Sequence, residues 1–293
     1  MRDFVIMTDS DTEIPYWFAD ENDIPVFLMP YTLDGKEELF DLGRTTDYKA
    51  FYTRLREGAE ATTSTRSPIE IQEFFEGIIK NHKDIIYICF SSQLSAHYEL
   101  ALGAREKALA NYPDAKIEIV DSVSIAMGAG LLVYHAVKQK KEGKSMTEIL
   151  AWLEKNKTRS LHYFTVDSLM YLKRTGRLSA MTATIGSILD LKPVLTLTRS
   201  GKIVAFDKVK GRRKVVKYLL DKVAENKMDD EESMELAIVC HGDNPEQAQL
   251  LKEEMEARFH YKHLWFLDVG PVIGCHAGPG VMAVLILGKE REK

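Results

Sequence analysis

The sequence predicts an α/β protein in which a parallel sheet covered by helices is followed by helices packed on a mixed sheet. Short apolar runs alternate with helical patterns in the first half of the chain, which is the order typical of parallel sheets. A charged stretch, KQKKEGKS at residues 138–145, then indicates the approach to a domain boundary. Beyond it, apolar runs that include a hairpin pattern favour a mixed sheet.

In the first half, apolar runs bounded by polar residues predict buried strands, and longer amphipathic segments between them predict helices. The predicted strands are residues 4–7, 85–90 and 117–120, and the predicted helices are residues 69–80, 98–110 and 125–140. Segment 24–42 carries a D-G turn signal at Asp34-Gly35 and is predicted to form a hairpin before a helix near Tyr48.

The second half begins after a predicted bridging helix at residues 147–157. Its predicted strands are residues 162–166, 236–241, 264–269 and 281–287, its hairpin is 194–209 with a turn at Ser200-Gly201, and its helices are 169–174, 212–227 and 245–259. No repeat of solenoid period is present.

Composition places the chain among ordinary globular proteins. Its 293 residues are 45% hydrophobic and 28% charged, and the net charge of −5 gives no basic excess that would favour nucleic acid. The first residues turn acidic before any apolar core of signal-peptide length, and no apolar run reaches membrane-helix length. A cytoplasmic protein without stable membrane insertion is expected. Its cysteines, Cys89, Cys240 and Cys275, lack C-x-x-C spacing and fit reduced thiols.

The segment GPVIGCHAGPG, residues 270–280, concentrates four glycines and two prolines around Cys275 and His276. Glycine reaches positive φ without steric penalty and lets other groups approach the backbone, and proline fixes the adjacent bend. His276 is therefore expected on a shaped loop with exposed N–H groups. A tight connection between two strands fits the segment equally well.

Three polar loops follow predicted strands: TDSD at residues 8–11, SSQLS at 91–95 and VDSVS at 120–124. Ligands of open α/β sheets bind beyond the carboxyl ends of strands, so all three loops could face one crevice. Taken singly, each loop is more typical of a cap for the helix that follows.

Other catalytic and metal-binding patterns are weak. The pairs Cys240-His241 and Cys275-His276 do not suit zinc, because adjacent side chains on a strand point to opposite faces. GPGVMA at residues 278–283 matches a dinucleotide fingerprint but precedes a strand instead of following one. The chain has neither a G-x-S-x-G elbow nor a G-x-x-x-x-G-K-[ST] phosphate loop. No metal or cofactor is expected.

Two basic clusters could contact an anion. YLKRTGRLS, residues 171–179, places Lys173, Arg174 and Arg177 around Gly176, which suits contact with a carboxylate or phosphate. A helix C-terminus with a glycine after its last turn explains the same pattern. GRRK at residues 211–214 is by itself typical of a solvated helix start.

Seven motifs taken in order resemble the DegV family of bacterial lipid-binding proteins, from about residue 4 to the end of the chain. They are TDSD (8–11), TTSTRSP (62–68), SSQLSAHY (91–98), VDSVSIAMGAGLLV (120–133), YLKRTGRLS (171–179), LKPVLTL (191–197) and GPVIGCHAGPG (270–280). The resemblance implies an N-terminal three-layer α/β/α domain, residues 1–158, and a C-terminal two-layer α/β domain, residues 159–293. A long-chain fatty acid is then expected between them.

The resemblance also implies site residues and a partner. Thr63, Ser95 and His276 would hold the fatty-acid carboxylate. The remaining expected residues are Ser64, Ser92, Gly274 and Gly278 in supporting head-group loops, and Arg174, Arg177, Arg212 and Arg213 at a basic mouth that contacts the partner. That partner would be a separate ATP-dependent kinase subunit, which phosphorylates the bound carboxylate to an acyl phosphate for phospholipid synthesis.

The sequence departs from the usual family pattern in three motifs. SSxLSGTY becomes SSQLSAHY with Ala96 and His97, KRGGR contains Thr175, and TSQPS becomes TSTRS with Arg66 in place of proline. These changes bear on the shape of the head-group pocket and on the preferred ligand. His97 could donate a hydrogen bond there or point away.

The leading hypothesis is a fatty-acid-binding protein without catalytic residues of its own. An alternative is a hydrolase or transferase that uses Ser95 and His276 on an acyl or phosphoryl substrate. A third is a lipid-responsive regulatory protein without a kinase partner.

Overall fold

The computed structural model describes residues 3–178 and 191–292, apart from the side chain of Arg212. In chain order the described strands are β1 (Asp3–Asp9), β2 (Val26–Phe27), β3 (Pro30–Leu33), β4 (Lys36–Leu39), β5 (Ala61–Thr63), β6 (Lys83–Cys89), β7 (Ile117–Asp121), β8 (Ser160–Thr165), β9 (Leu191–Leu197), β10 (Ile203–Lys210), β11 (Leu236–His241), β12 (His263–Asp268) and β13 (Met282–Leu287).

The described helices connect and cover these strands. They are α1 (Tyr16–Glu21), α2 (Tyr48–Arg56), α3 (Pro68–Ile79), α4 (His97–Asn111), α5 (Ala126–Lys141), α6 (Met146–Asn156), α7 (Met170–Arg174), α8 (Arg212–Asn226), α9 (Pro245–Arg258) and α10 (Pro271–Ala277), with 3₁₀ helices at Ser10–Thr12 and Lys157–Arg159.

Four parallel strands in the order β2-β1-β6-β7 form the first sheet. The central strand β6 is buried from its second residue to its last, since it is covered on both faces. Helices α3 and α4 pack on one face, and α5 and α6 pack on the other. This three-layer arrangement explains why the two inner strands, β1 and β6, contain continuous apolar runs.

A small antiparallel sheet, β4-β3-β5, adjoins the first sheet. Its hairpin turns at Asp34 and Gly35, with φ values of 49° and 79°. Two consecutive positive φ values are those of a type I′ turn, for which Asp-Gly is a preferred pair. The predicted hairpin is confirmed. Strand β3 also pairs with β5, which ends at Thr63.

Six strands form the large sheet, in the order β10-β9-β8-β13-β11-β12. The sheet is mixed because β11 and β12 pair in parallel while the other neighbours are antiparallel. Helices α8 and α9 cover one face with side chains such as Leu219 and Leu251. The other face packs towards Phe90 and Leu131 of the first half of the chain. A parallel sheet and a mixed sheet with helices confirm the predicted fold class.

No described helix combines the length and the apolar composition needed to cross a membrane. Cys89, Cys240 and Cys275 are all buried free thiols.

Candidate functional site

A cavity lies between the open face of the large sheet and the carboxyl ends of β1 and β6. It holds about 1140 Å³ of empty space, counting the part that opens to solvent. Its buried wall is largely apolar and includes Phe90, Phe164, Leu172, Val272, Ala283 and Leu285.

Polar side chains line the part of the cavity wall that remains accessible. Thr63, Ser95, His276 and Arg177 are half-buried and line the cavity, and Ser64 beside them is exposed. The structure therefore brings together all three side chains that the family resemblance assigned to a carboxylate. An anionic group at this opening would meet hydroxyl donors and the Arg177 guanidinium, while the buried wall suits an apolar chain.

His276 lies on a helix, α10, so the prediction that it lies on a loop is wrong. Pro271 occupies the first helical position of α10, and Gly278, with a φ of 72°, follows its end. Proline at the start and glycine just past the end are the preferred arrangement for a short helix. The segment's glycines and prolines thus delimit α10, which packs against β5.

Gly274 and Gly278 do not line the cavity, contrary to the role expected of them. The Gly274 N–H donates to the Gly270 carbonyl at 2.8 Å, so it is used inside the helix. A Cβ at Gly274 would lie 2.6 Å from the Phe51 ring and 2.9 Å from the Tyr52 hydroxyl. Gly274 therefore allows α10 to pack closely against α2, and Gly278 ends the helix.

The N-terminus of α10 is anchored by a buried carboxyl group from the first half of the chain. Glu13 Oε1 accepts a hydrogen bond from the Gly270 N–H at 2.5 Å, and the Tyr52 hydroxyl donates to the Val269 carbonyl at 2.8 Å. Burial raises the pKa of Glu13 well above its usual range, and Asp11 and Asp268 add to that rise. The position of His276 thus depends on contacts between the two halves of the chain.

Thr63 and His276 form a hydrogen-bonded pair, with 2.9 Å between Thr63 Oγ1 and His276 Nε2. His276 Nδ1 is buried and has no partner among the described residues. A proton on Nε2 leaves only an acceptor unpaired, whereas a proton on Nδ1 leaves a buried donor unpaired, which proteins tolerate less. With Nε2–H donating to Thr63, the Thr63 hydroxyl proton is free to donate to a ligand.

His276 is neutral at physiological pH. Burial, together with the nearby Arg177 and Arg174, lowers the pKa of His276 to about 4. The ring therefore contributes hydrogen bonds rather than a full positive charge, and Arg177 is the cation that lines the cavity.

Ser95 precedes α4 and presents its hydroxyl to the cavity. Its Oγ accepts from the His97 N–H at 3.2 Å, which leaves the Ser95 hydroxyl proton free to donate. Ser92 does not line the cavity, since its hydroxyl donates to Asp121 Oδ2 at 2.6 Å. None of the described hydrogen bonds joins Ser95 to His276, so the pair is not arranged as a nucleophile and its base.

The basic segment after Tyr171 ends α7 with a turn that glycine makes possible. Gly176, with a φ of 71°, donates to the Lys173 carbonyl, and the Arg177 N–H donates to the Leu172 carbonyl. This Schellman arrangement turns the chain so that Arg177 reaches the cavity. The Arg177 Nε donates to the Leu94 carbonyl at 3.2 Å and fixes the guanidinium there.

Two other expected mouth residues, Arg174 and Arg213, do not line the cavity. Arg174 is exposed and lies 5.3 Å from the centre of the Tyr171 ring. Arg213 is exposed at the start of α8, which packs on the opposite face of the large sheet, so its expected place at the mouth is wrong. The side chain of Arg212 lies outside the described part of the structure.

Two of the three predicted loops reach the cavity, and one of them supplies a residue that was not singled out. Asp11 of TDSD and Ser95 of SSQLS line it, whereas residues 120–124 do not. His162, also not predicted, lines the cavity and is bonded to the backbone of Ser160 and Ile125. The strand-end position of TDSD was the signal available for Asp11, but nothing marked His162 within its strand.

His97 points away from the cavity opening. Its Nε2 lies 2.7 Å from the Tyr87 hydroxyl, which donates to Asp9 Oδ2 at 2.8 Å. The His97 ring stacks on the Phe27 ring, with 5.6 Å between the ring centres. The Arg66 guanidinium lies 4.8 Å from the centre of the Phe27 ring. Two departures from the family pattern therefore contact one aromatic residue behind the head-group loops.

Asp9, Cys89 and His97 place their ligand atoms within 4.8 Å of one another, and this is the group among the described residues that could hold a metal ion. All three are buried, and the Tyr87 hydroxyl already bridges Asp9 and His97. A hydrogen-bond network therefore explains why Asp9 and His97 lie close together, since each of its hydrogen bonds pairs a donor with an acceptor.

Comparisons with known proteins agree with this architecture. A family model described as "Uncharacterised protein, DegV family" matches residues 3–289. A DegV domain-containing protein of Clostridium perfringens is 40% identical over 292 residues, which is 100% of both chains. The solved structure of DegV, a fatty acid binding protein from Bacillus subtilis, has a TM-score of 0.84 at 26% identity and covers 99% of this chain and 100% of its own.

A DegV family protein from Thermus thermophilus, whose structure describes fatty acid binding, has a TM-score of 0.86 at 24% identity. It covers 99% of this chain and 100% of its own. The fold is thus shared along the whole chain, and both solved proteins bind fatty acids.

Proposed function

The chain belongs to the DegV family, and we propose that it binds a long-chain fatty acid in the cavity between its two main sheets. The observation that carries the proposal is the hydrogen-bonded pair of Thr63 and His276, which lies with Ser95 at the opening of a largely apolar cavity. Related proteins that bind fatty acids support the same ligand class.

The apolar wall supplies most of the affinity. A sixteen-carbon chain has about fourteen methylenes, and at about 0.8 kcal/mol each their burial contributes up to ~11 kcal/mol before ordering costs. The buried side chains of Phe164, Leu172 and Leu285 are among those that would enclose the chain.

The polar opening fixes the carboxylate. Thr63 and Ser95 each have a free hydroxyl proton, and Arg177 provides a positive charge beside them. Several donors are needed because a carboxylate that loses water without them is costly to bury. The carboxylate remains near solvent, since these residues are half-buried.

The carboxylate is presented to a separate ATP-dependent kinase, which converts it to an acyl phosphate for phospholipid synthesis. The sequence carries no phosphate-binding loop of its own, and the carboxylate donors lie at the opening, where a partner could reach them. The three buried free thiols fit a cytoplasmic location for this function.

Native mass spectrometry of gently purified protein tests the ligand. A bound mass equal to that of a long-chain fatty acid, lost on delipidation and regained on incubation with palmitic acid, is expected. Protein that neither carries nor takes up any fatty acid would contradict the proposal.

Acyl phosphate formation tests the presentation step. The lipid-loaded protein is incubated with ATP and with the kinase fraction of its native host. Ser95→Ala is expected to lower the rate at least tenfold, and Ser92→Ala serves as the control because its hydroxyl is bonded to Asp121. Equal rates in both variants would remove Ser95 from the carboxylate site, and turnover without the kinase fraction would favour an enzyme.

A further inference from the structure

Asp11 is an acidic side chain in the wall of the cavity. It is 5% exposed and lines the cavity with apolar residues that include Met29, Phe90 and Ala126. The 3₁₀ helix at Ser10–Thr12 holds it there, because Ser10 Oγ accepts from the Met29 N–H at 2.8 Å and Thr12 donates to the Asp9 carbonyl at 2.8 Å. Asp11 is therefore a fixed polar group in an otherwise apolar region.

Its carboxyl group has no partner within the described residues. Oδ1 is fully buried without a hydrogen bond, and no described hydrogen bond or ion pair involves Oδ2. The capping of the 3₁₀ helix is done by Asp9, whose Oδ1 accepts from the Asp11 N–H at 3.1 Å. Leaving a buried polar group unpaired costs about 1–3 kcal/mol, so Asp11 does not serve the stability of the fold.

The protonation state of Asp11 defines what it can bind. Burial raises the pKa of the Asp11 carboxyl well above its usual range, and the negative charge of Asp9 adds to the rise. Burial thus favours the neutral carboxylic acid, which offers one O–H donor and one carbonyl acceptor. A ligand hydroxyl is complementary to it, since it can accept the first bond and donate the second.

Asp11 is more deeply buried than the residues proposed to hold the carboxylate. Thr63, Ser95 and His276 are half-buried at the opening, whereas Asp11 belongs to the buried part of the wall. A fatty acid with its carboxylate at the opening would therefore place its chain, not its head group, against Asp11. Among the described residues, the other buried polar side chain that lines the cavity is His162, and both of its ring nitrogens already have backbone partners.

We propose that Asp11 selects a fatty acid that carries a hydroxyl group on its acyl chain, and that this hydroxyl exchanges two hydrogen bonds with the Asp11 carboxyl. This inference rests on the proposed function, because it assigns the class of lipid that the same cavity prefers. A water molecule held by Asp11 is the competing partner, and a test of preference separates the two.

Binding to delipidated protein is measured by calorimetry with stearic acid and with a series of monohydroxystearic acids that differ in hydroxyl position. The unsubstituted protein is expected to bind the best-matched isomer at least about tenfold more tightly than stearic acid. Asp11→Leu is expected to reverse this preference and to bind stearic acid more tightly. Asp11→Asn, which keeps a donor and an acceptor, is expected to retain part of the preference and serves if the leucine variant does not fold.

Three results would overturn the inference. The first is equal affinity of the unsubstituted protein for stearic acid and for every hydroxystearic acid isomer. The second is a preference for a hydroxystearic acid that stays unchanged in both Asp11→Leu and Asp11→Asn. The third is a folded Asp11→Leu protein that no longer binds stearic acid, which would show that Asp11 contacts the carboxylate head group instead. Failure of the unsubstituted protein to bind any fatty acid would refute the proposed function itself, and the inference would fall with it.

Discussion

Thr63 Oγ1 and His276 Nε2 lie 2.9 Å apart although 213 positions separate them in the chain. Thr63 ends β5 of the small sheet, and His276 lies in the last turn of α10, which follows the large sheet's strand β12. Neither residue could form this pair unless the two halves of the chain packed against each other. The proposed carboxylate site therefore forms at the interface between the two halves of the chain.

Thr63→Val is expected to raise the dissociation constant for palmitic acid by about tenfold or more. The valine keeps the shape of the side chain but removes a donor to a charged group, a loss of about 1.5–3 kcal/mol. It also leaves His276 Nε2 without its partner. Calorimetry with delipidated protein measures the change.

Thr62→Val is the matched control for this change. Thr62 is the preceding residue of β5, is exposed and does not line the cavity. Its variant is expected to bind palmitic acid within a factor of about two of the unsubstituted protein. Equal losses in both variants would show that β5 matters for folding and not for the carboxylate.

Gly274→Ala is expected to lower both stability and lipid affinity. The new methyl would lie 2.6 Å from the Phe51 ring, so α10 must move away from α2 and carry His276 with it. Such overpacking costs about 1–3 kcal/mol of unfolding free energy. Urea denaturation and palmitic acid binding measure the two effects.

Gly103→Ala provides the opposite case. Gly103 lies inside α4, is exposed and has nothing within 4 Å of the position its Cβ would take. Alanine there is expected to stabilise the protein by about 0.5–1 kcal/mol with unchanged lipid binding. A Gly274→Ala protein that behaved like this one would refute the packing role given to Gly274.

The fold was predictable from the sequence because its signals are local. The inner strands of the first sheet, β1 and β6, contain continuous apolar runs, and Asp34-Gly35 marks the hairpin of the small sheet through the positive φ that both residues adopt. The helix over residues 69–80 was similarly marked, since Ser67 caps it and Glu70 completes the capping box.

The site was less predictable because its geometry is not local. Glycine and proline density in residues 270–280 suggested a loop, although Pro271 and Gly278 are local signals for the start and end of a helix. The close packing of that helix on Phe51 and Tyr52, far away in the chain, had no local signal. His162 and Asp11 face the cavity only because the two main sheets meet. The three residues proposed to hold the carboxylate were assigned from the family resemblance, because periodicity and spacing alone do not indicate them.

His97→Thr is expected to destabilise the fold by about 2 kcal/mol while leaving palmitic acid affinity within about twofold. The substitution removes the hydrogen bond to Tyr87 and the stack on Phe27, both buried. It keeps the backbone N–H of residue 97, from which Ser95 Oγ accepts a hydrogen bond. Urea denaturation and calorimetry separate the two outcomes.

The exposed His260 provides the control, and His260→Thr is expected to change neither quantity measurably. A large loss of lipid affinity in His97→Thr would instead show that the network behind the SSQLSAHY loop sets the position of Ser95.

The unfolding free energy of the protein is expected to decrease as the pH falls from about 6.5 to about 4. His135 is expected to contribute to this decrease. Burial, with Lys138 nearby, lowers the pKa of His135 from 6.5 to about 4. The unfolded chain therefore binds a proton in this interval that the folded protein does not. The stability contribution is complete above about pH 6.5 and is lost as the pH falls, by about 2 kcal/mol at pH 5.

His135→Phe tests this assignment because phenylalanine can keep the ring that packs 5.3 Å from Trp152. Urea denaturation of the variant is expected to show a loss of unfolding free energy from pH 7 to pH 5 that is smaller than in the unsubstituted protein by about 2 kcal/mol. His260→Phe, at an exposed position, should leave that loss unchanged. If His135→Phe loses as much stability as the unsubstituted protein, the acid sensitivity resides in other groups, and His135 is protonated in the folded state as readily as in the unfolded chain.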